Sequence, residues 1–110
     1  RLDDVIWFDF EVLCSSPRGA LDYVELARTY HAIMLSKVPQ LSEKNEDKAR
    51  RFVVLIDELY DRKVKLIISA DVEITSIYVG DRQKFEFERT KSRLIEMQSL
   101  DYLASPHVII

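Results

Sequence analysis

The stretch Ala49–Asp71, ARRFVVLIDELYDRKVKLIISAD, decides the fold. Ala49, Phe52, Val53, Ile56 and Tyr60 recur at helical spacing and predict an amphipathic helix. Val54 and Leu55 fall off that stripe, so the helix is expected to meet apolar surface over a wide arc. After a two- or three-residue corner, Val64–Ile68 reads as a buried strand. Helix and strand together are the second half of a β-α-β unit. The strand runs out into Ser69 and Asp71, and in open α/β sheets such strand ends face the ligand crevice.

The same stretch holds VVLIDE (53–58), which looks like the strand that holds magnesium in nucleotide-hydrolysing enzymes. On that reading Asp57 would hold the metal's water shell and Glu58 would polarise the attacking water. It requires a strand over 52–56, which leaves about seven residues before the strand at Val64, whereas a parallel connection needs about a dozen or more. A helix with an exposed acidic end is the reading the spacing favours.

Outward from this unit, Val5–Leu13 (VIWFDFEVL) alternates. Ile6, Phe8, Phe10 and Val12 make one apolar face, with Trp7, Asp9 and Glu11 opposite, which predicts a strand near a sheet edge. Ser15–Gly19 (SSPRG) reads as a turn. Ala20–Tyr30 reads as a helix with Ala20, Val24, Ala27 and Tyr30 on one side, and His31–Ser36 as a buried parallel strand closed by Val38-Pro39. Ser42 or Asn45 is placed to cap the helix that follows, and Glu46 and Asp47 suit its positive end. Residues 71–78 are a loop or short helix, and Val79-Gly80-Asp81 turns. Phe85–Gln98 is a helix with Phe87, Leu94 and Met97 inward. Ser99 caps a last helix that runs through Leu103 and stops at Ser105-Pro106. The order β-α-β-α-β-α implies a small, mostly parallel three-stranded sheet with flanking helices.

Composition narrows the function. The chain has 110 residues, enough for one domain, with 47% hydrophobic and 32% charged residues and a formal charge of −3. Both signs are interspersed and no basic stripe occurs, so no nucleic-acid partner is expected. No apolar run approaches the roughly 18 residues needed to span a bilayer. The start, RLDDVIWFDF, is not a signal peptide, and Arg1 is not a start methionine, so a fragment of a longer chain is expected. Cys14 is the only cysteine and is read as a packing residue. His31 and His107 are the only histidines, so no histidine metal site is expected. Two glycines, Gly19 and Gly80, cannot make a glycine-rich phosphate loop, so this chain has no phosphate cradle of its own.

Arg89 and Arg93, four apart in FEFERTKSRLIEMQS (85–99), share one helix face, with Glu86 and Glu96 as salt-bridge partners. One reading is a solvated, locally paired face. The other is that one arginine reaches a nucleotide phosphate, which a permanently charged, fork-shaped donor suits. Trp7 and Tyr23 are read as interface residues if the chain docks on more protein, and otherwise as core or half-buried.

Four stretches, WFDFEVLC (7–14), ALDYVELARTYHAIMLSKVPQL (20–41), ARRFVVLIDELYDRKVKLIISAD (49–71) and FEFERTKSRLIEMQSLDYL (85–103), together resemble the C-terminal part of the ZapE family. These are bacterial cell-division ATPases, AAA+-like and related to the mitochondrial Afg-one-like ATPases. The resemblance implies part of a P-loop NTPase-like fold, with residues 1–110 as one C-terminal domain and both Walker motifs outside the chain. It assigns 53–58 to a helix. It implies ATP and magnesium in the parent protein, no cofactor and no catalytic residue in this chain, and a cytoplasmic location, with recruitment to the division site at the inner membrane. The implied partners are the N-terminal remainder, the tubulin-like division-ring protein and further copies. Arg89 and Arg93 are the nucleotide-contact candidates, as a second sensor or as a finger across a subunit boundary. The alternatives are a nucleotide-independent interaction module and a small stand-alone enzyme working at Ser69, Asp71 and Asp57.

Overall fold

The computed structural model describes residues 5–15 and 19–109. Its elements are β1 (Val5–Asp9), α1 (Phe10–Cys14), α2 (Ala20–Thr29), β2 (Ala32–Val38), α3 (Glu46–Asp61), β3 (Lys65–Ala70), α4 (Lys84–Glu96) and α5 (Leu100–Ala104). Short 3-10 turns lie at Glu43–Asn45 and Ile74–Ser76. The strands form one sheet in the order β1-β2-β3, and both pairs are parallel.

Both crossovers step the same way across the sheet. Connections of one hand therefore lay α2 and α3 on the same face. There they cover Ile33 and Leu35 completely and Ile6, Phe8, Leu66 and Ile68 in part. The helix over the decisive stretch is continuous from Glu46 to Asp61, so VVLIDE is helical. Ala49, Phe52, Leu55, Ile56 and Leu59 are fully buried, because α3 lies between α2 on one side and α4 on the other. That flanking explains why Leu55, off the predicted stripe, is buried too. At the centre, the Phe52 ring sits 6.0 Å from Phe10 and 6.1 Å from Phe87, and Phe87 stacks on Tyr78 at 4.5 Å. Burying a ring of this size stabilises the fold by about 1.5–3 kcal/mol.

Several strand boundaries and one helix face differ from expectation. The first strand ends at Asp9, not Leu13, and Phe10–Cys14 coils into α1. Phe10, Leu13 and Cys14 are buried while Val12 is 49% exposed. That is the i, i+3, i+4 pattern of a helix, and it was masked because Phe10 satisfies both periods. The inward face of α2 carries Tyr23 and Ala27, whereas Ala20 is exposed. The Tyr23 hydroxyl donates to the Leu13 carbonyl at 2.7 Å, which makes Tyr23 a core residue rather than an interface one. β2 continues to Val38 through an irregularity between Leu35 and Val38, where Lys37 has φ +60°. β3 begins at Lys65 rather than Val64. The expected SSPRG turn lies partly outside the described residues.

The remaining elements fall where the spacing placed them. Ser42 caps the 3-10 turn by accepting from the Lys44 amide at 3.2 Å, and Asn45 accepts from the Ser42 amide at 2.7 Å. Phe87, Leu94 and Met97 point inward from α4 and the turn that ends it. Ser99 caps α5 by accepting from the Tyr102 amide at 3.2 Å. Gly80 permits a close approach: a side chain there would come within 2.6 Å of the Tyr78 hydroxyl.

Candidate functional site

α4 runs beside α3 in the same sense. Gln83, just before α4, donates to the carbonyl and carboxylate of Glu46 at the start of α3. At the far end, the Tyr60 hydroxyl donates to Glu96 at 2.7 Å. Between these anchors both predicted arginines converge on one carboxylate. Arg93 donates to Asp57 Oδ1 at 2.5 Å and Arg89 to Asp57 Oδ2 at 3.1 Å. The Arg93 guanidinium also lies 4.8 Å from the Tyr60 ring centroid. Asp57 is three-quarters buried, as is Arg93, whereas the Arg89 side chain is 49% exposed. Glu86 and Glu96, the expected partners, are not theirs. Glu96 is taken by Tyr60, and the Glu96 hydrogen bond is the main reason the Tyr60 phenol is held above its ordinary range.

An aromatic seam continues to α5. Tyr60 and Tyr102 stack at 5.9 Å. Lys63 lies over both rings and Lys65 over Tyr102. The buried Tyr102 hydroxyl donates to the Val64 carbonyl at 2.7 Å and lies 3.2 Å from the Leu59 carbonyl. Burial, first of all, pushes that phenol far up. Burial followed by the Lys63 charge pulls Lys65 down, although its ammonium donates to the carbonyls of Lys63 and Ser105. Cation over ring is worth about 0.5–1 kcal/mol at such half-exposed sites. These groups brace helices and offer no convergent donors to a small molecule.

A second polar cluster lies at the carboxyl ends of β1 and β2, where ligands of open α/β sheets bind. Ser36 donates to Asp9 at 2.5 Å, Trp7 Nε1 donates to Ser36 at 2.8 Å, and Lys37 stands 3.8 Å from Asp9. Alternation alone could not find this cluster, since it depends on the register Asp9 to Ser36. Ser69 and Asp71 are exposed at the end of β3, but Asp57 is turned to α4, so the three groups of the stand-alone enzyme reading are not brought together. A groove of about 370 Å³ between residues 74–81 and α4 carries mixed charges from Asp81, Lys84, Glu88 and Lys91 and includes no predicted site residue.

Cys14 is fully buried, as its packing role predicts. His107 Nε2 lies 2.6 Å from the Ala27 carbonyl at the end of α2. Among the described residues no group of three or more His, Cys, Asp or Glu side chains is placed to hold a metal. No helix among them is long and apolar enough to cross a membrane. The two glycines of the sequence are far apart, and 53–58 is helical.

Three parallel strands with flanking helices make an α/β fold of the P-loop NTPase-like class. The AFG1-like ATPase family profile matches residues 1–106, and the chain belongs to that family. It is 50% identical over 99 residues to the cell division protein ZapE of Escherichia coli K12, which covers 90% of this chain and 26% of that protein. It is 34% identical over 131 residues to a protein of Schizosaccharomyces pombe, covering 94% and 29%. It is 32% identical over 128 residues to lactation elevated protein 1 homolog B of Danio rerio, covering 87% and 25%. The chain thus spans about a quarter of the curated relatives it matches. No solved structure matches it.

Proposed function

We propose that residues 1–110 are the C-terminal α/β portion of a ZapE-type ATPase that works in division-ring dynamics in the cytoplasm. ATP and magnesium are bound by parts of the parent protein outside this chain. The chain supplies supporting layers and one arginine. The single observation that carries this reading is the 50% identity to a cell division protein over 90% of a chain whose own residues make no phosphate cradle. The arginines divide the work. Arg93, three-quarters buried and stacked on Tyr60, holds α4 to α3. Arg89, half exposed, can leave Asp57 for a phosphate at small cost, because exposed pairs are worth about 0.2–1 kcal/mol. On this reading Arg89 reaches a nucleotide phosphate held by its own subunit or by a neighbouring one. Partners on this reading are the remainder of the parent chain, further copies of it and a tubulin-like division-ring protein.

The experiment compares ATP turnover by purified residues 1–110 with that of the parent. The parent turns over and the piece stays at buffer background. Steady hydrolysis by the piece would overturn the assignment. The occupation of both arginines by Asp57 favours a second reading, a nucleotide-independent interaction module. On that reading, partner capture by the parent ignores both nucleotide and the Arg89→Ala change.

A further inference from the structure

The outer flank of α4 carries a row of charges that is complementary to itself. Asp81, Lys84, Glu88 and Lys91 line the groove between residues 74–81 and α4. They alternate in sign and stand three, four and three residues apart, the spacing that keeps side chains in one row along a helix. Read in the opposite direction, the row has the same spacing with every sign reversed. Among the described residues Asp81 and Lys84 have no ion-pair partner, and Glu88 and Lys91 share only a helix-surface contact at 3.1 Å. Such contacts are weak and exchange partners readily. Ile74, Tyr78 and Phe87 supply the apolar part of the groove lining. Beside it Phe85 is 88% exposed, more than any other large apolar side chain described.

We infer that this flank is a two-fold contact between two copies of the parent protein, with their α4 helices antiparallel. A two-fold axis sets the same patch on both sides, so residue i meets residue j and j meets i. In the register that sets Lys84 opposite Glu88 of the other copy, Asp81 falls opposite its Lys91, because both pairs are centred on position 86. Every charge of the row then meets an opposite one. Sliding one helix by a turn in either direction sets like charges opposite each other instead, so the pattern selects a single register. The same register sets Phe85 opposite Phe87, which lines the other copy's groove, and a groove of about 370 Å³ has room for an aromatic ring. An aromatic anchor within a rim of paired charges is the anatomy of a specific interface. Arg89 and Arg93 lie on the other flank of α4, against Asp57, so the contact does not compete with them. The inference goes beyond the nucleotide reading and stands whether or not the parent hydrolyses ATP.

The test uses the full-length parent without nucleotide. Light and heavy-isotope copies are mixed by dilution and reconcentration, then treated with a water-soluble carbodiimide, which joins a carboxylate to an amine only where they touch. A mixed-isotope Asp81–Lys91 link is expected. Within one copy Lys84 and Lys91 alone are roughly 10 Å apart along α4, and Asp81 lies beyond Lys84, so this link reports the contact between copies. Absence of the mixed link would overturn the inference. Dissociation of the pair is followed by sedimentation. Each change counts twice across a two-fold axis, so Lys84→Glu should raise the Kd at least about tenfold. Adding Glu88→Lys to it swaps the charges of that pair and should restore the original Kd to within about threefold. Phe85→Ser should raise the Kd at least about tenfold by removing the anchor. All three side chains are exposed, so the melting temperature of the separated copies should not move. A Kd that ignores Lys84→Glu, a double variant no better than the single one, or a parent that stays monomeric at its highest soluble concentration would each overturn the inference.

Discussion

The Asp57 fork is the contact whose removal says most. Asp57→Ala strips two guanidinium groups of their common partner and leaves them close together on α4. Arg93 is three-quarters buried and its hydrogen bond is short and charge-assisted, so its share is about 1 kcal/mol. Arg89 is half exposed and its share is about 0.3 kcal/mol. The single change should thus cost about 1–2 kcal/mol, with a little more from the repulsion left behind. Arg93→Ala should cost about 2 kcal/mol, because it also loses the stacking on Tyr60. A double-mutant cycle separates these terms. By urea unfolding of residues 1–110, the Asp57–Arg93 coupling should be near 1 kcal/mol and survive high salt. The Asp57–Arg89 coupling should be a third of that and vanish, since exposed pairs are screened and buried ones much less so. In the parent, Arg89→Ala should lower ATP turnover at unchanged melting temperature, whereas Asp57→Ala should lower turnover only as far as it lowers the folded fraction. An Asp57–Arg93 coupling of zero would refute the brace. Full activity of Arg89→Ala would reduce that residue to a surface charge.

Two further changes probe the packing. Tyr102→Phe takes the buried phenol from the Val64 carbonyl, whereas the Leu59 carbonyl keeps the Val64 amide at 2.9 Å. It should cost about 1–2 kcal/mol, or roughly 4–9 °C in the melt of a chain this long. Tyr60→Phe, which loses only a bond to exposed Glu96, should cost less. Glu46 is held below its ordinary value of 4.5 first by the Gln83 hydrogen bond, burial opposing this, and then by Tyr78. Its folded pKa is depressed, so its contribution is whole above pH 4.5 and is lost as pH falls through the lower folded value. Thermal melts of Glu46→Gln should accordingly show a flatter acid limb below pH 4.5 and an unchanged shape above it.

Most of the fold was legible because its elements carry one clear period each. The 49–62 helix was decidable from spacing and from the length a parallel crossover needs. The cap at Ser99 was readable from side-chain chemistry, whereas Ser42 caps the 3-10 turn before α3 and α3 itself has no side-chain cap. The end of β1 was not, because Phe10 fits a strand face and a helix face equally well, and only the burial of Leu13 and Cys14 breaks the tie. Tyr23 was ambiguous because a lone tyrosine reads as core or rim until its hydroxyl finds a partner, here Leu13. The arginines were found by their shared helix face, but their partner was not. Asp57 lies 32 and 36 residues away, and nothing local marks it. The Trp7–Ser36–Asp9 chain was invisible for the same reason, since strand register creates it. Family likeness supplied what spacing could not, namely membership of an ATPase family.

The Tyr102 hydroxyl has a consequence for biosynthesis. It completes the α3–β3 corner from 38 residues downstream of Val64. At about 5–20 residues per second, a ribosome takes roughly 2–8 s to add that stretch. Through that interval the nascent corner presents Leu59 and Val64 without the phenol that later seals them.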